Sequence, residues 1–257
     1  MRSRRTRAWP LAALMALWVP IAAAGAEEDS DAQALVAKVA AAIPKNPFTA
    51  KLTLSSSDFA PRELRMSRKY VGDAHGSYLE VTAPDELEGI RFLFLERADG
   101  PDEQYIKVKA SRSPVRVREA VRTQPFLGSA FYVSDLVLPE VENYTYKYLG
   151  KDVIGGRRVN LVEMTPKDPD NEVYGKTVLA LDPKDLLILR REFYDKHGDK
   201  VKVWTIDKVE QIDGIWTLTG QEMQDLKNNT KSRLDVSDIK YDAELPEVMF
   251  TPKYLTR

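Results

Sequence analysis

A mainly β fold of the α+β class, one curved antiparallel sheet with a few helices, is predicted by three features of the sequence. Apolar and polar residues alternate with period two from Phe48 almost to the C-terminus. Turn chemistry interrupts that alternation at short intervals, and no long helical pattern falls between the runs. Short connections make neighbouring strands antiparallel, and without helices between them a doubly wound α/β sheet is unsupported.

Taken in order, the chain opens with Arg2, Arg4, Arg5 and Arg7, followed by an apolar run from Ala8 to Ala24 that ends in Ala24-Gly25-Ala26. A charged segment, an apolar segment and small residues at a cleavage position read as an export signal over residues 1–26. The run carries Pro10 and Pro20 and falls short of the roughly 20 residues of a membrane-spanning helix. Residues 27–257 are then one exported domain, mildly acidic once four arginines are removed. Ser30 can cap a helix of about three turns carrying Leu35, Val36, Val39, Ala40 and Ile43, which stops before Pro44. The strand pattern follows: Phe48, Ala50, Leu52 and Leu54 alternate with polar partners, and about ten strands fit between residues 48 and 241. Asp99-Gly100-Pro101, Gly155-Gly156, Asp182-Pro183, Lys196-His197-Gly198 and Asp213-Gly214 are the turns between them.

Several strands are apolar on both faces. Ile90, Phe92 and Phe94 oppose Leu93 and Leu95; Leu187, Leu189 and Phe193 oppose Leu186, Ile188 and Tyr194. Across the Asp213-Gly214 hairpin Trp204 faces Met223, with Val203 and Trp216 on the other side. An antiparallel sheet with one wet face does not read this way, so the second face must be covered by helices and loops, a partner or an apolar ligand. Phe92, Phe94, Trp204 and Met223 are accordingly expected beside an apolar cavity.

Composition removes whole classes of function. The 257 residues carry 38 basic and 39 acidic side chains, which excludes nucleic-acid binding driven by charge. There is no cysteine, so disulfides, thiolate metal sites and thiol catalysis are absent, and only His75 and His197 are available as imidazoles. Both histidines read as turn residues. Gly128-Ser129-Ala130 lacks the second glycine of a nucleophile elbow, and the acidic run Asp85 to Gly89 reads as a surface connection. No phosphate-binding glycine loop occurs. Neither enzymatic activity nor a metal or other cofactor is expected.

Two neighbouring segments suggest binding instead. Lys107, Lys109, Arg112, Arg116, Arg118 and Arg122 are opposed only by Glu119, a positive strip suited to a solvated strand face or to docking against anionic headgroups or an acidic partner. Next comes Pro125 to Leu136, including Phe126, Leu127, Phe131 and Tyr132, which is too apolar for an ordinary loop and must bury against something. Phe126, Phe131 and Tyr132 join the lipid-binding candidates.

The ordered set of the strip, Phe126-Leu127-Gly128-Ser129-Ala130-Phe131-Tyr132, Ser134-Asp135-Leu136, Leu181-Asp182-Pro183, Arg190 to Asp195, Met223-Gln224-Asp225, and the ending Leu245-Pro246 with Phe250-Thr251-Pro252 resembles the LolA-like periplasmic proteins of outer-membrane lipoprotein sorting. The family usually has acidic residues where this chain has Ala130 and Ser134. The resemblance implies an incomplete antiparallel β-barrel, LolA/LolB-like, wrapped over a few helices and enclosing an apolar cavity. It implies a periplasmic carrier or acceptor of lipid or lipoprotein acyl chains, with an inner-membrane exporter or outer-membrane acceptor as partner and peripheral membrane contact. It carries no catalytic residues over. The competing expectation is an accessory protein that docks onto an envelope exporter of the resistance-nodulation-division type without carrying lipid.

Overall fold

Among the described residues thirteen strands form a single antiparallel sheet, each paired with its sequence neighbours except that β6 and β7 stay apart and the first strand meets the last. The computed structural model describes residues 21–72, 74–97, 102–117, 123–136 and 140–257. One helix, α1 (Ile21–Ala41), precedes β1 (Phe48–Ser56), β2 (Phe59–Val71), β3 (Ala74–Ala83), β4 (Arg91–Arg97), β5 (Glu103–Lys107) and β6 (Val115–Arg116). After the apolar segment come β7 (Tyr144–Ile154), β8 (Arg157–Pro166), β9 (Lys176–Asp182), β10 (Leu187–Tyr194), β11 (Lys200–Ile212), β12 (Ile215–Asp225) and β13 (Thr230–Tyr241). The spatial order is β6-β5-β4-β3-β2-β1-β13-β12-β11-β10-β9-β8-β7. The β1–β13 pairing, with Leu54 opposite Leu234, joins the two halves. β6 and β7 form the two edges and do not pair with each other among the described residues, so the curled sheet stays an incomplete barrel.

The turns named from sequence fall between strands where the described residues include them. Asp213 and Gly214 take φ of 51° and 80°, the two left-handed residues of a tight hairpin. Trp204 pairs directly with Met223, as the loop length requires. Asp99-Gly100-Pro101 lies outside the described residues.

The doubly apolar strands are covered on both faces by the chain itself. On one side of β3 and β4, Phe92 and Phe94 join Leu52, Leu54, Leu64 and Leu79. On the other, Tyr78, Leu93 and Leu95 pack under Leu245, Phe250 and Leu255 of the C-terminal segment, whose 3-10 turns span Glu247–Phe250 and Pro252–Thr256. Gly76 permits this: a Cβ there would stand 2.6 Å from the Phe250 ring. Ile188 and Leu186 instead pack in the cluster beneath α1.

Two sequence expectations are corrected. The helix does not start at a Ser30 cap but runs upstream to Ile21 through the alanine-rich stretch 22–26, where helix propensity is high. His75 is not in a turn; it lies in β3, opposite Tyr70. His197 is in the β10–β11 turn as expected.

Candidate ligand-binding site

α1 buries Ala32, Val36 and Val39, an i, i+4, i+7 stripe, against Tyr144, Tyr146, Met164, Leu179 and Leu181 of β7, β8 and β9. Asp29 fixes the helix to the sheet edge by accepting a 2.7 Å hydrogen bond from the backbone N–H of Tyr148. The contact is incomplete. Between helix and sheet remains a cavity of about 290 Å³, near the lower end of the ~300–1,000 Å³ typical of small-molecule pockets. Val36, Val39, Ala40 and Ile43 line it from the helix, and Tyr146, Met164, Leu179, Leu181 and Ile188 from the sheet.

Its opposite end is polar, because the ends of β2, β3 and β4 and the start of β5 meet there. Lys45, Tyr70, His75, Glu96, Arg97 and Asp102 line that end. Arg68 organises it: the guanidinium grips Glu96 at 3.0 and 3.2 Å, donates to Ser77 at 2.9 Å and lies 3.0 Å from His75 Nδ1. The His75 and Tyr70 rings are tilted by 49° with their centroids 3.5 Å apart. Burial, then the positive charges of Arg68 and Lys45, hold His75 neutral and push its pKa down to about 4. The space is thus amphipathic, with an apolar wall for a hydrocarbon tail and a charged end.

The apolar segment 123–136 folds onto the concave face as a plug. It doubles back at the Pro125–Tyr132 bridge, where the Phe126 N–H donates to the Phe131 carbonyl at 2.7 Å. The lipid-binding candidates converge here. Phe92, Phe94, Phe126, Phe131 and Met223 are buried in one cluster with Trp204 at its margin, and Phe131 meets the Trp204 ring edge-on at 5.4 Å. Tyr132 is half-buried, with the Lys202 ammonium 2.9 Å from its ring centroid. These seven residues do not line the helix-side cavity; they form the packed neighbourhood next to it.

Charged groups beneath the plug pin it in place. Lys202 donates to the Ala130 carbonyl at 2.7 Å and to Asp135 at 3.1 Å. Asp135 also accepts from the Tyr132 N–H and the Tyr174 hydroxyl, each at 2.7 Å. Burial lowers the Lys202 pKa and the adjacent carboxylate opposes that shift, while burial and Asp135 together raise that of Tyr174. Arg191 lies nearby, against the Trp204 ring at 5.1 Å. Asp135 and Arg191 entered the sequence reading only within the motifs that carry the resemblance, and Lys202 not at all. The signal was present, since Lys202 is in phase with Trp204 and Ile206, and Arg191 with Leu187, Leu189 and Phe193. A charge at an inward position of an apolar strand is the mark to look for.

Of the positive strip, Arg112 and Arg116 are exposed. Lys107 and Lys109 turn back onto the carbonyls of Val108 and Asp85, at 2.8 and 3.1 Å. Arg118 and Arg122 lie outside the described residues. A separate open groove of about 970 Å³ at the hairpin tips is edged by Trp216 and by Arg157, which pairs with Asp182 and Asp185. Among the described residues no group of three or more metal-ligating side chains gathers, and no helix is long and apolar enough to cross a membrane.

Comparison with known proteins places this geometry. A family model with the description "-like: Uncharacterized protein" matches residues 73–257. No curated protein matches significantly. Among solved structures, an outer membrane lipoprotein-sorting protein domain from Vibrio parahaemolyticus is 25% identical, with a TM-score of 0.82 over 89% of this chain and 100% of its own. A DUF1329 family protein from Desulfovibrio piger, 21% identical, also superposes with a TM-score of 0.82, over 89% of this chain and 99% of its own. A LolA superfamily protein from Nitrosomonas europaea, 23% identical, gives 0.66 over 87% and 98%.

Proposed function

We propose, on the premise that this chain belongs to the family matched over residues 73–257 and has the LolA-like fold, that it is a periplasmic, non-catalytic carrier of lipid or lipoprotein acyl chains. The observation that carries the reading is the amphipathic cavity between α1 and the concave sheet. An acyl chain gains about 0.8 kcal/mol per CH₂ removed from water, so a shuttle needs an apolar wall and a mouth, and no covalent chemistry. The likeness to a lipoprotein-sorting domain supports the same cargo class.

On this reading residues 1–26 direct export and are removed. Cleavage near Glu27 falls inside α1 yet keeps the buried helical residues Ala32, Val36 and Val39 that pack on the sheet. The exposed Arg112 and Arg116 then suit contact with an anionic membrane, an inner-membrane exporter or an outer-membrane acceptor. Titration of the mature protein with a fluorescent fatty-acyl probe tests the carrier. Saturable binding displaced by unlabelled lipid supports it, and absence of saturable binding refutes it.

A further inference from the structure

Arg191 is 8% exposed, and its Nε reaches no hydrogen-bond acceptor. Among the described residues no carboxylate pairs with its guanidinium. The anion that acts on it most is Asp135, and both Asp135 oxygens are already engaged, by Lys202 and the Tyr132 N–H on one side and the Tyr174 hydroxyl on the other. Two buried carboxylates, Asp135 and Asp225, act on Lys202. The Asp225 oxygens are held by the N–H groups of Lys227 and Asn228 and by the Asn228 amide, so Arg191 remains a buried cation with no carboxylate of its own. Such a group is a standing cost to the fold, since desolvation is not offset by pairing. Arginine cannot escape that cost by losing its proton.

The position of this cation matters. Arg191 pairs across the sheet with Leu179 on one side and Trp204 on the other. Leu179 is a wall of the helix-side cavity, and Trp204 belongs to the cluster under the plug. Arg191 therefore stands between the wall of the helix-side cavity and the packed cluster under the plug.

We propose that Arg191 is the receptor for the anionic head of an amphiphile, a carboxylate or phosphate carried on an acyl chain. This rests on the carrier reading and adds the ligand's charge. A planar guanidinium suits either oxyanion through paired N–H donors, and an apolar surround strengthens the contact.

The experiment compares oleate, oleoyl lysophosphatidic acid and uncharged oleyl alcohol on the full mature protein and on Arg191→Met and Arg191→Lys. The wild type is expected to prefer the two anions, and R191M to lose about ten- to hundredfold for them with little change for the alcohol. R191K is expected to recover part of the loss. A larger loss with the phosphate identifies a phospholipid source, and a larger loss with oleate a free fatty acid. Ligand-free R191M should be at least as heat-stable as the wild type, because it removes a buried charge that no carboxylate pairs; marked destabilisation makes Arg191 a structural group and overturns the proposal. Equal weakening of anions and alcohol, or none, overturns it while leaving the carrier intact. Failure of all three ligands to bind the wild type overturns both.

Discussion

Lys202 holds its ammonium 3.1 Å from the Asp135 carboxylate with side-chain exposures of 1% and 0%, so the ion pair joining plug to sheet is sealed from water. Removing one partner strands the other charge in the interior. Lys202→Met should cost about 3–5 kcal/mol, and the double variant Lys202→Met/Asp135→Leu less than the sum of the two single changes. Denaturant unfolding of the four proteins checks this; additive losses would mean the pair is not coupled. Phe131→Ala, which truncates a side chain 1% exposed, should by itself cost about 3–5 kcal/mol, so its effect on cargo must be read against stability.

His75 gives a pH dependence with a definite sign. Its folded pKa of about 4 lies below the ordinary 6.5, so between these values the unfolded chain takes up a proton that the folded chain refuses. Stability should be full above about pH 6.5 and decline as pH falls towards 4. Because the ring is half-buried, the expected decline is on the order of 1–2 kcal/mol. Denaturant midpoints across this range should flatten in His75→Gln; an unchanged slope would remove His75 as the cause.

The exposed arginines make a third case. Arg112→Glu/Arg116→Glu should weaken sedimentation with phosphatidylglycerol vesicles at low salt and have little effect at high salt, since each basic side chain near such a surface is worth about 1 kcal/mol and is screened. Binding unchanged at low salt would make the strip a solvated face.

Much of the sheet was readable because period two records directly which side chains share a face. The opposition of Phe92 and Phe94 to Leu93 and Leu95 translated into two separate clusters, one under the plug and one under the C-terminal tail. The short β5 and β6 were legible only as a positive strip suited to a solvated strand face, and of that strip only Lys107 and Arg116 lie in those strands. The helix-side cavity was less legible still. It is formed by residues as far apart in sequence as Val36, His75 and Ile188, and only the curl of the sheet brings them together. Reading His75 as a turn residue failed because Gly76 beside it serves close packing of Phe250, not chain reversal.

The most direct test of the carrier is mass spectrometry of organic extracts from the protein purified from periplasm without detergent, beside Ala40→Trp. Ala40 lies on the cavity wall at an exposed helix position, so tryptophan should occupy the space at a stability cost of only about 0.5 kcal/mol. The account predicts acyl lipid in near-stoichiometric amount with the wild type and strongly reduced amounts with A40W. Lipid no more abundant than in an unrelated exported protein, or equal in both variants, would contradict it.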